Sequence, residues 1–383
     1  MSTDTTPPIN PGRRSSSLLL ASTALAAGST GLLGCASVAT QLGLAPLLQR
    51  LGLMDAPAPP MSPAQAQALQ THYLQGARAL LANDVEGAIA AWRRYAALAP
   101  STLARARQVR GHLTLLDREA ARRFVQRAAA SEAQLGALRT DRLHVAVLPF
   151  DIRGPAPAPG AAPSPAAAPA PAASFNRAVV SMIAVDLARV PALTVLERDK
   201  IELLAQELRL SASELVNPAT AVRPGRLLGA GTLVAGAVYN APGPAGPGSG
   251  RYRINSATTD VPRGRLIGQT EAEGLQAEFF VLQKRIVHGI LDLLDIRDRP
   301  AAVDTVHTRN WEAYARFARG LQALAENRFA DAREAFLAAL RLDPDFALAE
   351  NSFLATPERP ASLQEMQAEA ANALKASEAS SRP

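Results

Sequence analysis

One residue is placed for covalent chemistry by its immediate neighbours. Cys35 is the only cysteine, and it closes Leu32-Leu33-Gly34-Cys35 at the end of an apolar stretch that starts at Leu18. A thiol is a nucleophile that can carry an acyl chain, and acyl chains attach a protein to a membrane at about 0.8 kcal/mol per buried methylene. A lone cysteine also excludes intramolecular disulfides and any cysteine-based zinc cage. The histidines, His72, His112, His144, His288 and His307, have no metal-ligand spacing, and His144, beside a strand pattern, reads as a surface or edge residue. Gly229, Gly231 and Gly236 follow a helical stretch and lead into a strand, the reverse of a dinucleotide loop, so they read as a tight turn with close packing. Glu197-Arg198 and Glu207 are explained by helix capping and local ion pairing. No GxSxG, SxxK or HExxH occurs. The chain is therefore read as no enzyme, with no catalytic residue, cofactor, metal or small-molecule substrate.

The elements around Cys35 support lipidation. Arg13-Arg14 precede an apolar run from Leu18-Leu19-Leu20 to Leu32-Leu33, broken by Ser22, Thr23, Gly28, Ser29 and Thr30. That run is a secretory signal, and it falls short of the roughly 20 apolar residues of a spanning helix. Leu32-Leu33-Gly34-Cys35 resembles the bacterial lipobox, which implies cleavage before Cys35 and three acyl chains on the mature N-terminus. Cleavage after Ala24-Leu25-Ala26 or Ser37-Val38-Ala39 would instead leave a free thiol. Residues 1–34 are thus expected to be a lipoprotein signal peptide and 35–61 a lipid-anchored tether, with Ala56-Pro57-Ala58-Pro59-Pro60 extended.

Composition narrows the rest. With 383 residues, 48% hydrophobic and 4% aromatic, the chain can build two or three aliphatic cores. A net charge of +6 and a pI near 10.0 invite a nucleic-acid reading. The basic residues argue against it, being arginines dispersed among acids, as in Arg297-Asp298-Arg299, with Lys200, Lys284 and Lys375 the only lysines.

Residues 62–138 carry alanine-rich helical periodicity. The pattern then switches to a buried strand over 143–150 and, past a Pro/Ala-rich insertion at 154–173, to a helix over Phe175–Arg189 and a strand at Leu193–Leu196. Helices at 199–208 and 218–228 lead to a strand at Thr232–Tyr239, a hairpin of Arg251–Thr258 with Arg265–Gly274, and a closing helix over Leu275–Ile296. Strands alternating with helices and ending in an antiparallel pair describe an α/β domain with a mixed sheet over 143–296.

The two ends of this plan match each other. Gly76, Ala88, Trp92 and Pro100 recur with identical spacing as Gly320, Ala332, Phe336 and Pro344. Asn83-Asp84 and Asn327-Arg328 fall at the turn between the helices of each copy, and Tyr95 stands where the second copy has Ala339. This grid resembles the tetratricopeptide repeat, in which a small residue lets two helices approach and an aromatic fills the groove. The second copy is assigned to 302–349, with a C-terminal helix and tail at 350–383. A single hairpin cannot bury its own face. The first copy is therefore expected to stack on helices between Thr102 and Ala130, and the second on Ala361–Ala376 or on the α/β domain.

Between the copies, Val145-Ala146-Val147-Leu148-Pro149-Phe150, Leu196-Glu197-Arg198, Leu203-Leu204, Glu207-Leu208, Leu210-Ser211-Ala212-Ser213, Pro218-Ala219-Thr220-Ala221 and Leu228-Gly229-Ala230 with Gly236 resemble the CsgG family of curli secretion lipoproteins. The resemblance implies an anticodon-binding-like α/β fold shared with the TolB N-terminal domain, FlgO and LpoB-type lipoproteins, and an outer-membrane location facing the periplasm. A membrane barrel would need strands of about 9 to 11 alternating residues with aromatic girdles. Here Arg251–Gly274 carries Arg251, Arg253, Asp260, Arg263 and Arg265, with Tyr252 its only aromatic. The expectation is a lipid-anchored interaction or assembly component of the envelope, in secretion or surface-fibre assembly, bound to the membrane through Cys35 and to an envelope protein through its helices. Two alternatives stand beside it: an LpoB-like regulator of peptidoglycan synthesis and a CsgG-type channel subunit.

Overall fold

Ser62 and Pro63 start the first long helix for local reasons. Proline at the first helical position forfeits an N–H that has no partner there. The Ser62 hydroxyl accepts from the Gln65 N–H, and the Gln65 side chain accepts in return from the Ser62 N–H. In the computed structural model, which describes residues 44–54, 60–130, 141–153, 170–196, 201–202, 204, 225–241 and 250–380, this helix is α2 (Pro63–Leu81), preceded by α1 (Ala45–Arg50). Then come α3 (Val85–Leu98), α4 (Ala104–Ala130), β1 (His144–Val147), β2 (Asp151–Arg153), α5 (Ala170–Ala188) and β3 (Thr194–Val195). The strands β4 (Thr232–Ala241), β5 (Arg251–Asp260) and β6 (Arg265–Leu275) are followed by α6 (Phe279–Leu293), α7 (Trp311–Ala325), α8 (Phe329–Leu342), α9 (Ala347–Ala355) and α10 (Leu363–Ser380). Residues 46–383 form one unit, separate from 1–45, and the packing below is that of this unit.

The described elements are a mixture of helices and one small mixed sheet. The strand order is β3-β1-β4-β5-β6, with β1 parallel to both neighbours and β4, β5 and β6 antiparallel. Pro149 interrupts the strand expected over 143–150, and β2 resumes on the same edge of β4, Ile152 opposite Val238. The closing helix begins later than its apolar pattern implied. Leu275 still pairs with Arg251 in the sheet, a 3₁₀ turn (Gln276–Glu278) intervenes, and α6 starts at Phe279.

Helices α5 and α6 pack against each other, with α6 on β5 and β6 and α5 on β1, β2 and β3. Glycines allow the close approach of α6 to the sheet: a Cβ on Gly268 would lie 2.4 Å from Leu293, and one on Gly289 2.2 Å from Thr270. Val125 and Ala128, from the end of α4, join Ala146, Leu148, Leu233 and Ala235 in a second core. Alternation along β1 and β4 requires this second cover, because Val145, Val147 and Val234 face the other way and are buried as well.

The helices outside the sheet form one row. In space it runs α10, α2, α3, α4, α9, α8, α7, α5, each helix packed on the next. The two matching hairpins, α2/α3 and α7/α8, thus lie in the same layer although the sheet separates them in sequence. Helix α4, 27 residues and about 40 Å long, is the spine. Its Ala106, Val109, Leu113 and Leu116 belong to the core of the first hairpin, and its far end covers the sheet. The inter-helix turns are both held by arginines of α4. Asn83 and Asn327 each take φ 60°; Arg123 donates to Asn83 Oδ1 at 3.0 Å and Arg118 to Asn327 Oδ1 at 2.6 Å.

The first hairpin does lean on α4, and the second leans on α5 of the α/β unit. The C-terminal helix α10 packs on α2 of the first hairpin. The stretch expected to be a tether is folded in part: Leu47 and Leu51 are buried, Arg50 donates to the Pro344 carbonyl, and its own carbonyl accepts from Ser101 Oγ. The last residues of the expected insertion, from Ala170, already belong to α5. The signal sequence, Cys35, the rest of the tether and insertion, Glu197-Arg198 and Glu207 lie outside the described residues. So do the helices expected at 199–208 and 218–228, apart from residues 201–202, 204 and 225–228.

Within each hairpin the glycine and the aromatic meet. A Cβ on Gly76 would lie 2.2 Å from the Trp92 ring, and one on Gly320 2.4 Å from the Phe336 ring. Gly320→Val is therefore expected to overpack a fully buried contact and destabilise by about 1–3 kcal/mol. Thermal or urea unfolding should show a lowered midpoint, and Gly320→Val combined with Phe336→Leu should recover part of the loss.

Candidate interaction site

The C-terminal hairpin is joined to the sheet by aromatic side chains. The whole chain holds 2 Trp, 5 Tyr and 10 Phe. Six of them, Phe175, Tyr252, Phe279, Phe280, Trp311 and Tyr314, converge where α5, α6, α7 and β5 meet, with neighbouring centroids 5.2 to 6.3 Å apart. Tyr314 is fully buried and donates its hydroxyl to the Phe175 carbonyl at 3.1 Å. Burial pushes its phenol well above the ordinary range. The Tyr314 hydroxyl is thus satisfied inside the aromatic cluster that joins α5, α6, α7 and β5.

Beside it lies a buried charge cluster. Asp186 of α5 is fully inaccessible and accepts from Lys284 Nζ at 2.6 Å and Gln283 Nε2 at 2.9 Å, both on α6. Arg189 donates to Asp186 Oδ1 at 3.1 Å and to the Ala302 carbonyl at 2.6 Å. His307, on the segment leading into α7, brings Nε2 within 2.9 Å of Oδ1 but out of line for a hydrogen bond. Burial pushes the Asp186 carboxyl up; the approach of His307 and the bonds from Lys284 and Gln283 outweigh it and hold the carboxyl below the usual range. Burial also lowers Lys284, against the pull of Asp186. The cluster ties α5, α6 and the segment before α7 into one body. The side chains of Asp186, Lys284 and His307 are all buried.

None of these groups is legible from motif reading. The signal that could have found them is a polar residue inside an apolar helical stripe: Asp186 within Val179-Val180-Ser181-Met182-Ile183-Ala184-Val185-Asp186-Leu187, and Lys284, one of three lysines, within Phe279–Leu293. The other residues singled out by type are scattered. His144 opens β1 half-buried, and His288 contacts Asp304 at 2.7 Å. Gly229 takes φ +70° and a Cβ on Gly231 would lie 1.8 Å from the Asp141 carbonyl oxygen, which a tight helix-to-strand turn requires. Among the described residues no group of histidine, cysteine, aspartate and glutamate could hold a metal ion, and no helix is long and apolar enough to cross a membrane.

The outer face of the β5–β6 hairpin is polar. Arg251 pairs with Glu273 at 3.1 Å, and Arg253 lies over the Tyr239 ring at 4.6 Å. Among the grooves of the described helical row, one borders α10 and another borders the segment leading into it. One, of about 400 Å³, is lined by Leu69, Tyr73, Leu103, Arg105, Ala373 and Ala376 among others; the other, of about 600 Å³, by Arg105, Arg107, His112, Glu358 and Arg359. A concave strip with apolar floor and charged rim is suited to a peptide or helix.

No curated protein matches the chain. Among solved structures, the C-terminal domain of LpoB from Salmonella enterica aligns with 39% of this chain and 94% of that domain, at 14% identity and a TM-score of 0.24. Residues 128–241, from the last turn of α4 through β4, match the family model of the curli production assembly/transport component CsgG.

Proposed function

We propose that the chain is a periplasm-facing, lipid-anchored component of the outer membrane that acts by binding another envelope protein, in secretion or surface-fibre assembly, and that it forms no pore. The observation that carries this reading is the CsgG match over 128–241, since the described strands of that stretch are the ones on which the helical row is mounted. In this reading the α/β unit has the CsgG/TolB-N-like fold, and the paired hairpins are tetratricopeptide-like modules whose Gly–aromatic contacts recur in both copies. The β5–β6 hairpin supports the absence of a pore. One of its faces is covered by α6, and the other carries Arg251, Glu273 and Arg253, which a lipid-facing strand would not tolerate.

In-cell crosslinking followed by mass spectrometry should recover an envelope secretion or fibre-assembly protein, with crosslinks on the helical row. Recovery of a penicillin-binding protein would replace this reading with regulation of peptidoglycan synthesis. Discrete single-channel steps from the purified chain in planar bilayers would replace it with a channel subunit.

A further inference from the structure

Strand β6 ends the sheet with its outer side open. It pairs with β5 and with no other strand among the described residues. The direction of its backbone groups follows from its last residues. Gln276 donates its N–H to the Gly250 carbonyl on the β5 side, while the Leu275 N–H points the other way and is accepted by the Glu278 carboxylate at 2.9 Å. Alternation carries this back along the strand, so the N–H and C=O groups of Gln269, Glu271 and Glu273 are turned away from β5. All three residues are exposed, and among the described residues these backbone groups have no hydrogen-bond partner. The open stretch has defined ends. Glu278 blocks it at Leu275, and the register shift opposite Thr258 and Thr259, which leaves Ile267 without a partner in β5, ends it on the other side. An unpaired edge of this kind accepts a further strand through main-chain bonds.

The side chains along the edge decide what that strand must carry. Gly268 and Gly274 approach α6, since a Cβ on Gly268 would lie 2.4 Å from Leu293 and one on Gly274 3.1 Å from Leu282. Leu266, Gln269, Glu271, Glu273 and Leu275 share the opposite face. Leu266 and Leu275, at its two ends, are 40% and 48% exposed. Between them Glu273 pairs with Arg251, while Glu271, opposite Asn255, has no ion pair among the described residues. The arginines of this face, Arg251 and Arg253, lie on β5, one strand further in, so a strand added outside β6 meets the acids first. A second copy of the chain is poorly suited. Antiparallel pairing of two β6 strands through all three residues sets Glu271 directly opposite Glu271 of the copy, and like charges so placed are destabilising.

We propose that the outer edge of β6 is a docking strand for an extended segment of a protein partner, added antiparallel, with basic side chains opposite Glu271 and Glu273 and an apolar one beside Leu275. This rests on the reading of the protein as an interaction component and adds to it a place of contact and the chemistry of the ligand. Main-chain bonds to Gln269, Glu271 and Glu273 hold the segment, and the two acids select its sequence.

The test titrates the full chain with the blocked peptide Leu-Val-Lys-Val-Lys-Val-Thr-Val and follows amide hydrogen exchange. Saturable binding should slow exchange over 265–275, the span of β6. A peptide with both lysines replaced by glutamate should bind about tenfold more weakly. Glu271→Lys in the chain, at an exposed position, should weaken the Lys peptide about fivefold and improve the Glu peptide by a similar factor. N-methylation of the second lysine removes a main-chain donor and keeps the charge, and it should abolish the protection. The proposal is overturned if millimolar Lys peptide leaves exchange over 265–275 unchanged, if the Glu peptide binds as well as the Lys peptide, or if the N-methylated peptide protects equally. Concentration-dependent dimerisation with protection over the same residues would assign the edge to a second copy and overturn it too. Crosslinking that finds no envelope partner would sink the functional reading and leave the peptide result standing; failed peptide binding beside a confirmed partner would sink only the docking strand.

Discussion

Asp186→Ala should lower the stability of the folded chain by about 3–5 kcal/mol, because it leaves the buried Lys284 without the carboxylate it bonds. Lys284 is 7% exposed and Asp186 fully buried, so water cannot replace the missing carboxylate without opening the joint between α5, α6 and the segment before α7. Equilibrium unfolding in urea measures the loss. The double variant Asp186→Leu, Lys284→Met should recover part of it, since the stranded charge is gone while the buried Gln283 amide still loses its acceptor. A double variant as unstable as Asp186→Ala would show that the damage does not come from the stranded Lys284 charge.

The same carboxylate carries a pH signature. Its folded pKa lies below the ordinary value, so the folded state binds the proton less readily than the unfolded chain does. The stabilisation is therefore present in full above the unfolded pKa of about 3.9 and is lost as pH falls through the folded pKa. An acid titration of stability should show this loss in the parent chain and a reduced slope in the Leu/Met double variant. Equal slopes in both would assign the acid sensitivity to other carboxylates.

Cys35→Ala should move the protein from the membrane pellet to the soluble periplasmic fraction, with the folded part unchanged. Acyl chains provide the membrane affinity in this reading, and about two or more are needed for durable attachment. The described residues contain no helix able to span a membrane. Fractionation after spheroplast lysis, with circular dichroism on the soluble variant, gives the readout. Continued sedimentation with the membrane would reveal a second attachment, and loss of folded signal would show that the anchor contributes to folding.

Much of the local structure was legible because it rests on short-range rules. Apolar patterns locate β4 and the β5–β6 hairpin within a few residues, and the repeat grid places the α7/α8 turn at Asn327-Arg328. The repeated Gly–aromatic spacing identifies two contacts, Gly76 with Trp92 and Gly320 with Phe336, that are present in the fold. Boundaries drifted where a neighbour competes with propensity, as at Leu275, which the sheet retains through Arg251.

What the sequence by itself determined about this protein is the strands of the β5–β6 hairpin and β4, the helical ends of the chain with their two matching hairpins, and the single thiol at Cys35. Tertiary structure alone decided that both hairpins share one helical row, that α10 covers the first and α5 the second, and that Asp186, Lys284 and His307 meet. The physical reason is that periodicity states which stripe of a helix must be buried and leaves open what buries it. Partners such as Arg118 and Asn327, or Gln108 and Glu369, are separated by more than 200 residues, and only the assembled layers bring them within hydrogen-bond reach.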